Sequence, residues 1–174
     1  MNPKAVAVVG GKKVGKTITT EALVKELTNR GYRVAAIKHV SEEDFTIDTP
    51  GKDTWRFAQA GAKKIVVLST NEVATIEKGI TKKLTLSDLL KKCEGSDIVL
   101  IEGFKRAVSK VGHVPKIVVI TSQEEALKAL ERYEPILMFS GSYNPQNLKN
   151  IPYYNALVHP EKLADTIEAE LLKK

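Results

Sequence analysis

"AVAVVGGKKVGKTITTEALVKEL", residues 5–27, decides the fold. Five apolar residues in a row read as a strand buried on both faces. The chain then switches at once to glycine and lysine. From Thr17 to Asn29 the period changes again: Leu23, Val24 and Leu27 share one helical stripe, and Gly31 supplies a C-terminal stop. Strand, basic glycine turn and helix in direct succession are the context in which Gly10-x4-Gly15-Lys16-Thr17 acts as a phosphate-binding loop. Glycine permits backbone angles and close approaches that a Cβ blocks. Successive amides can then line one concavity for phosphate oxygens, and the positive end of the following helix faces the same anion. Gly10, Gly11, Lys12, Lys13, Val14, Gly15, Lys16 and Thr17 are therefore the phosphate-binding candidates. Lys16 is expected to reach the β and γ phosphates and to stabilise charge during any transfer. The Thr17 hydroxyl is a candidate Mg²⁺ ligand.

Outward from this stretch, further short apolar runs recur: VAAI (34–37), IVVL (65–68), IVLI (98–101), IVVI (117–120) and ILMF (136–139). They lack the alternation of a sheet with one wet face, so they predict parallel strands covered on both sides. Helical spacing appears at 84–92, 123–132 and 161–172, and EVATIEKG (72–79) reads as a strand, in a hairpin with 65–68. The expectation is an α/β fold, a mostly parallel sheet with helices on both faces, in a single nucleotide-binding domain over residues 1–174. Three long segments, 41–52, 103–115 and 140–152, read as irregular.

Ligands of such sheets gather at the carboxyl ends of strands. SDIVLIEGF (96–104) delivers Glu102 there, a second Mg²⁺ candidate beside Thr17, while Asp97 at the opposite end reads as structural. Lys38 and His39 end the second strand on the same edge. In the following segment Asp44, Asp48 and Asp53 are candidates for the carboxylate that positions metal or water in GTPases and related ATPases. Asp53 alternatively caps the helix holding Trp55 and Phe57. Lys105, Arg106 and Lys110 follow Glu102 and are suited to a second anionic ligand or to a solvated loop. No arginine reads as an obvious finger; Arg56 and Arg106 are the nearest candidates.

The formal net charge of +6 suits anionic partners or a lysine-rich surface. One cysteine, Cys93, cannot form an internal disulfide and suits a reducing compartment. The three histidines have no metal-ligand spacing with it, which argues against a zinc site. The opening residues are too short for a signal peptide and no apolar run approaches the ~18 residues of a membrane span. A cytoplasmic protein without membrane association is expected. The guanine-reading Asn-Lys-x-Asp motif is absent, so the residues leave GTP and ATP open.

GGKKVGKT (10–17), AAIKH (35–39), IDTPGKDTWRFAQAGA (47–62) and DIVLIEGFK (97–105) together resemble the molybdopterin-guanine dinucleotide biosynthesis protein B (MobB) family in order and spacing. Where that family commonly carries further histidines after Lys-His, this chain has VSEEDF. The resemblance implies a P-loop fold, a homodimer, GTP binding with Mg²⁺ and weak GTP hydrolysis. It also implies a role beside the MobA-type molybdenum cofactor guanylyltransferase that joins GMP to molybdopterin, with molybdopterin itself a candidate ligand. Carried over position by position, it places Gly10 to Thr17 on phosphates and Thr17 and Glu102 on Mg²⁺. Asp48, Asp53, Lys38 and Lys105 then line the site or its dimer edge, the two aspartates as catalytic candidates. The alternative is an ATP-dependent small-molecule kinase or ligase, since Lys38 resembles the strand-end lysine of dethiobiotin synthetase-like enzymes. A nucleic-acid-binding module is disfavoured by the complete phosphate loop.

Overall fold

Lys4–Gly10 forms β1, the central strand of a five-stranded sheet ordered β2-β5-β1-β6-β7. The others are β2 (Val34–Lys38), β5 (Ile98–Glu102), β6 (Lys116–Ile120) and β7 (Ile136–Gly141). Every pairing in this sheet is parallel. The computed structural model describes residues 3–79, 81–148 and 150–172. Six of the seven residues of β1 and all five of β6 are buried. This is the burial that the uninterrupted apolar runs call for. Parallel neighbours need crossovers, and helices supply them: α1 (Lys16–Asn29), the short α4 (Lys105–Val108) and α5 (Gln123–Arg132). α6 (Pro160–Ile167) follows the last strand and runs into a π-helical turn at Glu168–Leu172.

One side of the sheet forms the main core. Val6, Val8, Leu100, Ile117 and Val119 pack with Leu23 and Leu27 of α1 and Leu163 and Ile167 of α6. Full burial of each such side chain is worth roughly 1.5–3 kcal/mol. Arg30 ties the two helices at their ends, donating to Glu26 at 2.9 Å and to Asp165 at 2.7 Å. Gly31, at φ +88°, closes α1 while Tyr32 N–H donates back to the Leu27 carbonyl at 3.1 Å. By strand alternation Ala7, Val9 and Ile101 face the opposite side, where α4 meets β1 and α5 meets β6. Lys116, fully buried at the start of β6, was hidden in an otherwise apolar reading. Its ammonium donates to the carbonyls of Val111 at 2.9 Å and Glu134 at 2.6 Å, and burial pushes its pKa down to about 8.

The chain divides into two compact units, one holding residues up to His39 and from Leu89 onward, the other Val40–Asp88. The second contains α2 (Asp53–Gln59) and an antiparallel pair, β3 (Lys64–Leu68) with β4 (Val73–Glu77), in the register Lys64↔Glu77 to Leu68↔Val73. The hairpin anticipated between 65–68 and 72–79 is present. The grouping of IVVL with the buried parallel strands is corrected, because β3 lies outside the central sheet. Only four residues link β3 to β4, and a parallel crossover needs about a dozen. Ile65 is buried, while Val66, Leu68 and Val73 are 61%, 78% and 65% exposed. α3 (Leu86–Lys91) is shorter than the expected 84–92. A reciprocal cap marks its start, with Thr85 N–H donating to Asp88 at 2.9 Å and Asp88 N–H to the Thr85 hydroxyl at 3.2 Å. Among the described residues no helix is long and apolar enough to cross a membrane.

Candidate functional site

The glycine loop at the carboxyl end of β1 is shaped by sterics. A Cβ on Gly10, at φ +154°, would lie 2.3 Å from the Val119 carbonyl oxygen of the neighbouring strand. Gly15, at φ +98°, is the N-cap of α1 and contributes no side chain. The first amides of a helix have no intrahelical acceptor and are free for an anion. Val14 packs against the main core and anchors the loop from below, while Lys12 and Lys13 stay exposed. Thr19 and Thr20, buried behind the loop, return their hydroxyl protons to the carbonyls of Gly15 at 3.2 Å and Lys16 at 2.9 Å.

Lys16 turns back along the loop to donate to the Gly11 carbonyl. Burial holds its ammonium below the usual lysine range, Glu102 opposes that shift and Lys38 adds to it. On the β2–β5 side three groups meet. Thr17 Oγ1 donates to Glu102 Oε1 at 3.0 Å, and Lys38 Nζ donates to the same oxygen at 2.8 Å and to Thr17 Oγ1 at 3.3 Å. The pairing Lys38↔Glu102 is a direct consequence of the β2–β5 register. A positively charged group thus already bridges the two oxygens proposed for Mg²⁺. The donor set is a carboxylate and a hydroxyl, hard oxygens suited to that ion, and the Lys38 ammonium stands in for it. Next to them, His39 N–H donates to the Glu102 carbonyl at 2.9 Å and its ring lies 4.9 Å from that of Phe104.

The site expectations diverge from here. Asp97 is indeed structural. It accepts from the Arg33 backbone at 2.7 Å and from the guanidinium at 2.7 Å, which hold its carboxyl at about 2. Lys110 donates to the Glu131 carbonyl at 3.2 Å and lies 3.8 Å from the Glu134 carboxylate, and Arg106 is exposed. Lys105 is half-buried, its pKa lowered by burial and then by Lys16 and Arg132, with Glu125 opposing and Lys12 adding. Within the second unit, Asp48 Oδ1 accepts from Thr54 Oγ1 at 2.7 Å and Thr49 N–H at 3.0 Å, tying the loop to α2. Its Oδ2 is buried without a hydrogen-bond partner, leaving an oxygen available to a water or a cation. Asp53 is the first residue of α2, 84% exposed and 3.7 Å from Arg56; Lys52 occupies the cap position, with no side-chain bond. Asp44 is exposed.

Residues 5–139 match the protein family described as "Molybdopterin guanine dinucleotide synthesis protein B", MobB. The chain belongs to the MobB family. A relative from Methanocaldococcus jannaschii, named a putative molybdopterin-guanine dinucleotide biosynthesis adapter protein, is 30% identical over 89% of this chain. The chain spans 63% of that relative's own length. An adapter protein of the same name from Haemophilus influenzae is 32% identical over 76% of this chain and 71% of its own. The crystal structure of Bacillus subtilis MobB superposes with a TM-score of 0.77 at 24% identity, covering 98% of this chain and 99% of that one, and so shares the fold. The MobB match takes in all four segments that carried the resemblance.

Two features of this MobB-family site were not legible beforehand. One is the Lys38–Glu102–Thr17 contact, which depends on a strand pairing between residues 64 apart. The other is a cleft of about 200 Å³ on the far side of the loop, bounded by Gly10, Gly11, Lys105 and α5. Its α5 contributors, Lys128 and Arg132, sit in a helix that reads as an ordinary amphipathic one.

Proposed function

We propose that the chain binds GTP through Gly10–Thr17 and hydrolyses it slowly, as an accessory protein in the attachment of GMP to molybdopterin. The observation that carries this reading is the meeting of Lys16 and Thr17, at the start of α1, with Glu102 of β5 and Lys38 of β2 around one loop at the carboxyl edge of the sheet. Glycine at position 10 lets the loop lie against β6, where a Cβ would meet the Val119 carbonyl, and glycine at 15 adopts the positive φ that opens α1. Released from the Gly11 carbonyl, the Lys16 ammonium reaches instead for phosphate oxygens and offsets charge on the terminal phosphate. Thr17 and Glu102 hold Mg²⁺, which supplies further neutralisation of phosphate charge. Glu102 Oε1 accepts from Thr17 and Lys38, which places it to hold a cation in place of the lysine. With Arg106 exposed, no arginine finger is in place among the described residues, and slow turnover without a partner is expected.

The place in molybdopterin-guanine dinucleotide biosynthesis is supported by kinship with adapter proteins of that name, and the preference for GTP over ATP and the role beside the guanylyltransferase belong to the proposal. A homodimer is part of the same proposal. The outward Val66, Leu68 and Val73 of the β3–β4 pair form an apolar surface suited to a second copy. Titration calorimetry of the chain with GTP and ATP, each with and without Mg²⁺, tests the reading. Mg²⁺-dependent preference for GTP with turnover slower than a few per hour is the expected result. Preference for ATP, with rapid transfer to an added small acceptor, would replace it with the kinase or ligase reading.

A further inference from the structure

We propose that the cleft between α4 and α5, opening onto Gly10 and Gly11, is a second anion site for the phosphomonoester end of a small, flat-bodied molecule. This deepens the nucleotide reading: the neighbour on one side of the cleft is the loop that holds the nucleotide phosphates. The two sites share the backbone of Gly10 and Gly11 but differ in their side chains. Lys16 and Thr17 do not line the cleft, and the Thr17–Glu102–Lys38 corner lies on the β2–β5 side of the loop, whereas the cleft lies on the β6 side.

Size comes first. At about 200 Å³ the cleft is smaller than the roughly 300–1,000 Å³ of sites that enclose drug-sized ligands. A site of that size suits a phosphate group carrying one small ring.

The lining has matching chemistry. Val118, Val119 and Ile120 form an apolar floor at the carboxyl end of β6, and Ala129 and Tyr133 form an apolar wall on α5. Three cations stand around this surface: Lys105 from α4, and Lys128 and Arg132 from α5. The Arg132 guanidinium lies 5.5 Å over the Tyr133 ring, which fixes its position while leaving its N–H groups unpartnered among the described residues. Lys105 likewise has no hydrogen-bond partner among the described residues. Its ammonium is disfavoured both by burial and by Lys16, Arg132 and Lys12 around it. Lys128 is shared with Glu124 at 2.5 Å on the exposed rim and contributes least.

The carboxylate in the wall does not neutralise this cluster by direct contact. Glu125 Oε2 accepts from Thr121 N–H at 2.7 Å and Thr121 Oγ1 at 3.0 Å, while Oε1 faces Gly11 and its charge partly offsets Lys105 and Lys128. Lys105 is half-buried while Arg132 and Lys128 stand exposed at the rim; an anion would relieve their mutual repulsion, and a planar guanidinium beside a lysine matches a phosphomonoester dianion. The apolar floor and the tyrosine select a flat body attached to it.

Phenyl phosphate is the probe, followed by ³¹P NMR and calorimetry on the full chain, with phenol and inorganic phosphate alongside. Saturable binding of phenyl phosphate, tighter than that of either control and retained with Mg²⁺–GTP bound, is expected. Arg132→Gln should weaken phenyl phosphate about ten- to a hundredfold while GTP affinity and melting temperature stay put. Lys16→Ala should do the reverse, which separates failure of the nucleotide site from failure of the cleft. Displacement of phenyl phosphate by GTP, or its loss in Lys16→Ala alone, would assign the cleft to the nucleotide site and overturn the proposal. Equal affinity for inorganic phosphate would overturn the flat-bodied ligand, and absence of saturable binding would overturn the site.

Discussion

Ile117-Val118-Val119-Ile120 and Ile65-Val66-Val67-Leu68 differ at one residue and meet opposite fates. The first is β6, buried throughout within a parallel sheet; the second is most of β3, in a two-stranded antiparallel pair with Val66 and Leu68 largely exposed. Composition is the same, so the connection decides. β6 is followed by α5, which returns the chain for a parallel neighbour, whereas β3 is followed by four residues and its own antiparallel partner. An apolar run therefore reports that a strand seeks cover. It does not report whether the cover comes from the same chain or from another.

The sharpest way to break that comparison is to weaken each strand in turn. Ile117→Ala removes a fully buried side chain and should cost about 2–5 kcal/mol in urea denaturation. Leu68→Ser should stay within about 0.5 kcal/mol for the monomer while lowering self-association in sedimentation velocity. A large loss of monomer stability from Leu68→Ser would show that β3 is covered within its own chain.

The next effect concerns what the buried strands are for. Lys16→Ala should remove charge-assisted contacts worth roughly 1.5–3 kcal/mol, weakening nucleotide binding about ten- to a hundredfold by calorimetry. Unchanged affinity would move the site away from the β1 loop. A smaller, more specific change is expected at the β2–β5 edge. Glu102→Gln should abolish most of the Mg²⁺ dependence of GTP binding. Lys38→Met, which frees Glu102 from its 2.8 Å partner, should tighten Mg²⁺ about three- to tenfold. Equal Mg²⁺ affinity in both variants would make the Lys38–Glu102 contact purely structural.

The smallest effect lies at the opposite end of β5. Asp97 is held at about 2, below its ordinary 3.8, first by the hydrogen bonds from Arg33. A lowered folded-state value means the stabilisation is complete above pH 3.8 and is lost as pH falls toward 2. The difference in stability between wild type and Asp97→Asn should be constant near neutrality and shrink between pH 4 and 2. A constant difference down to pH 2 would separate Asp97 from Arg33.

The same contrast explains what could be read from sequence. The positions of the glycine loop after β1 and of Glu102 at the end of β5 were legible because their signals are local: glycines and a lysine after an apolar strand, an acid at the end of another. α5 was legible to the residue, since Ser122 accepts the Glu125 N–H at 3.2 Å as an N-cap and Arg132 closes the helix. Lys38 was placed on the correct edge, but its contact with Glu102 follows from β2 lying beside β5, a neighbourhood written nowhere in either segment. Lys105 was singled out whereas Arg132 was not, because its role depends on α5 lying against β6 next to the loop. Lys116 carried no sequence signal, and its partners are backbone carbonyls that any residue would provide.

The Lys38 bridge also bears on selectivity inside a cell. Because an ammonium already satisfies Thr17 and Glu102, arrival of a divalent ion is an exchange of one cation for another, with a gain of one unit of charge in place of two. A free ion has little to gain from that exchange. An ion already carried by a triphosphate brings the compensating negative charge with it and gives the displaced lysine a new counter-ion. On the proposed reading the site would be biased against the abundant bare metal and toward the metal–nucleotide complex as a unit, a bias set by the pairing of β2 with β5.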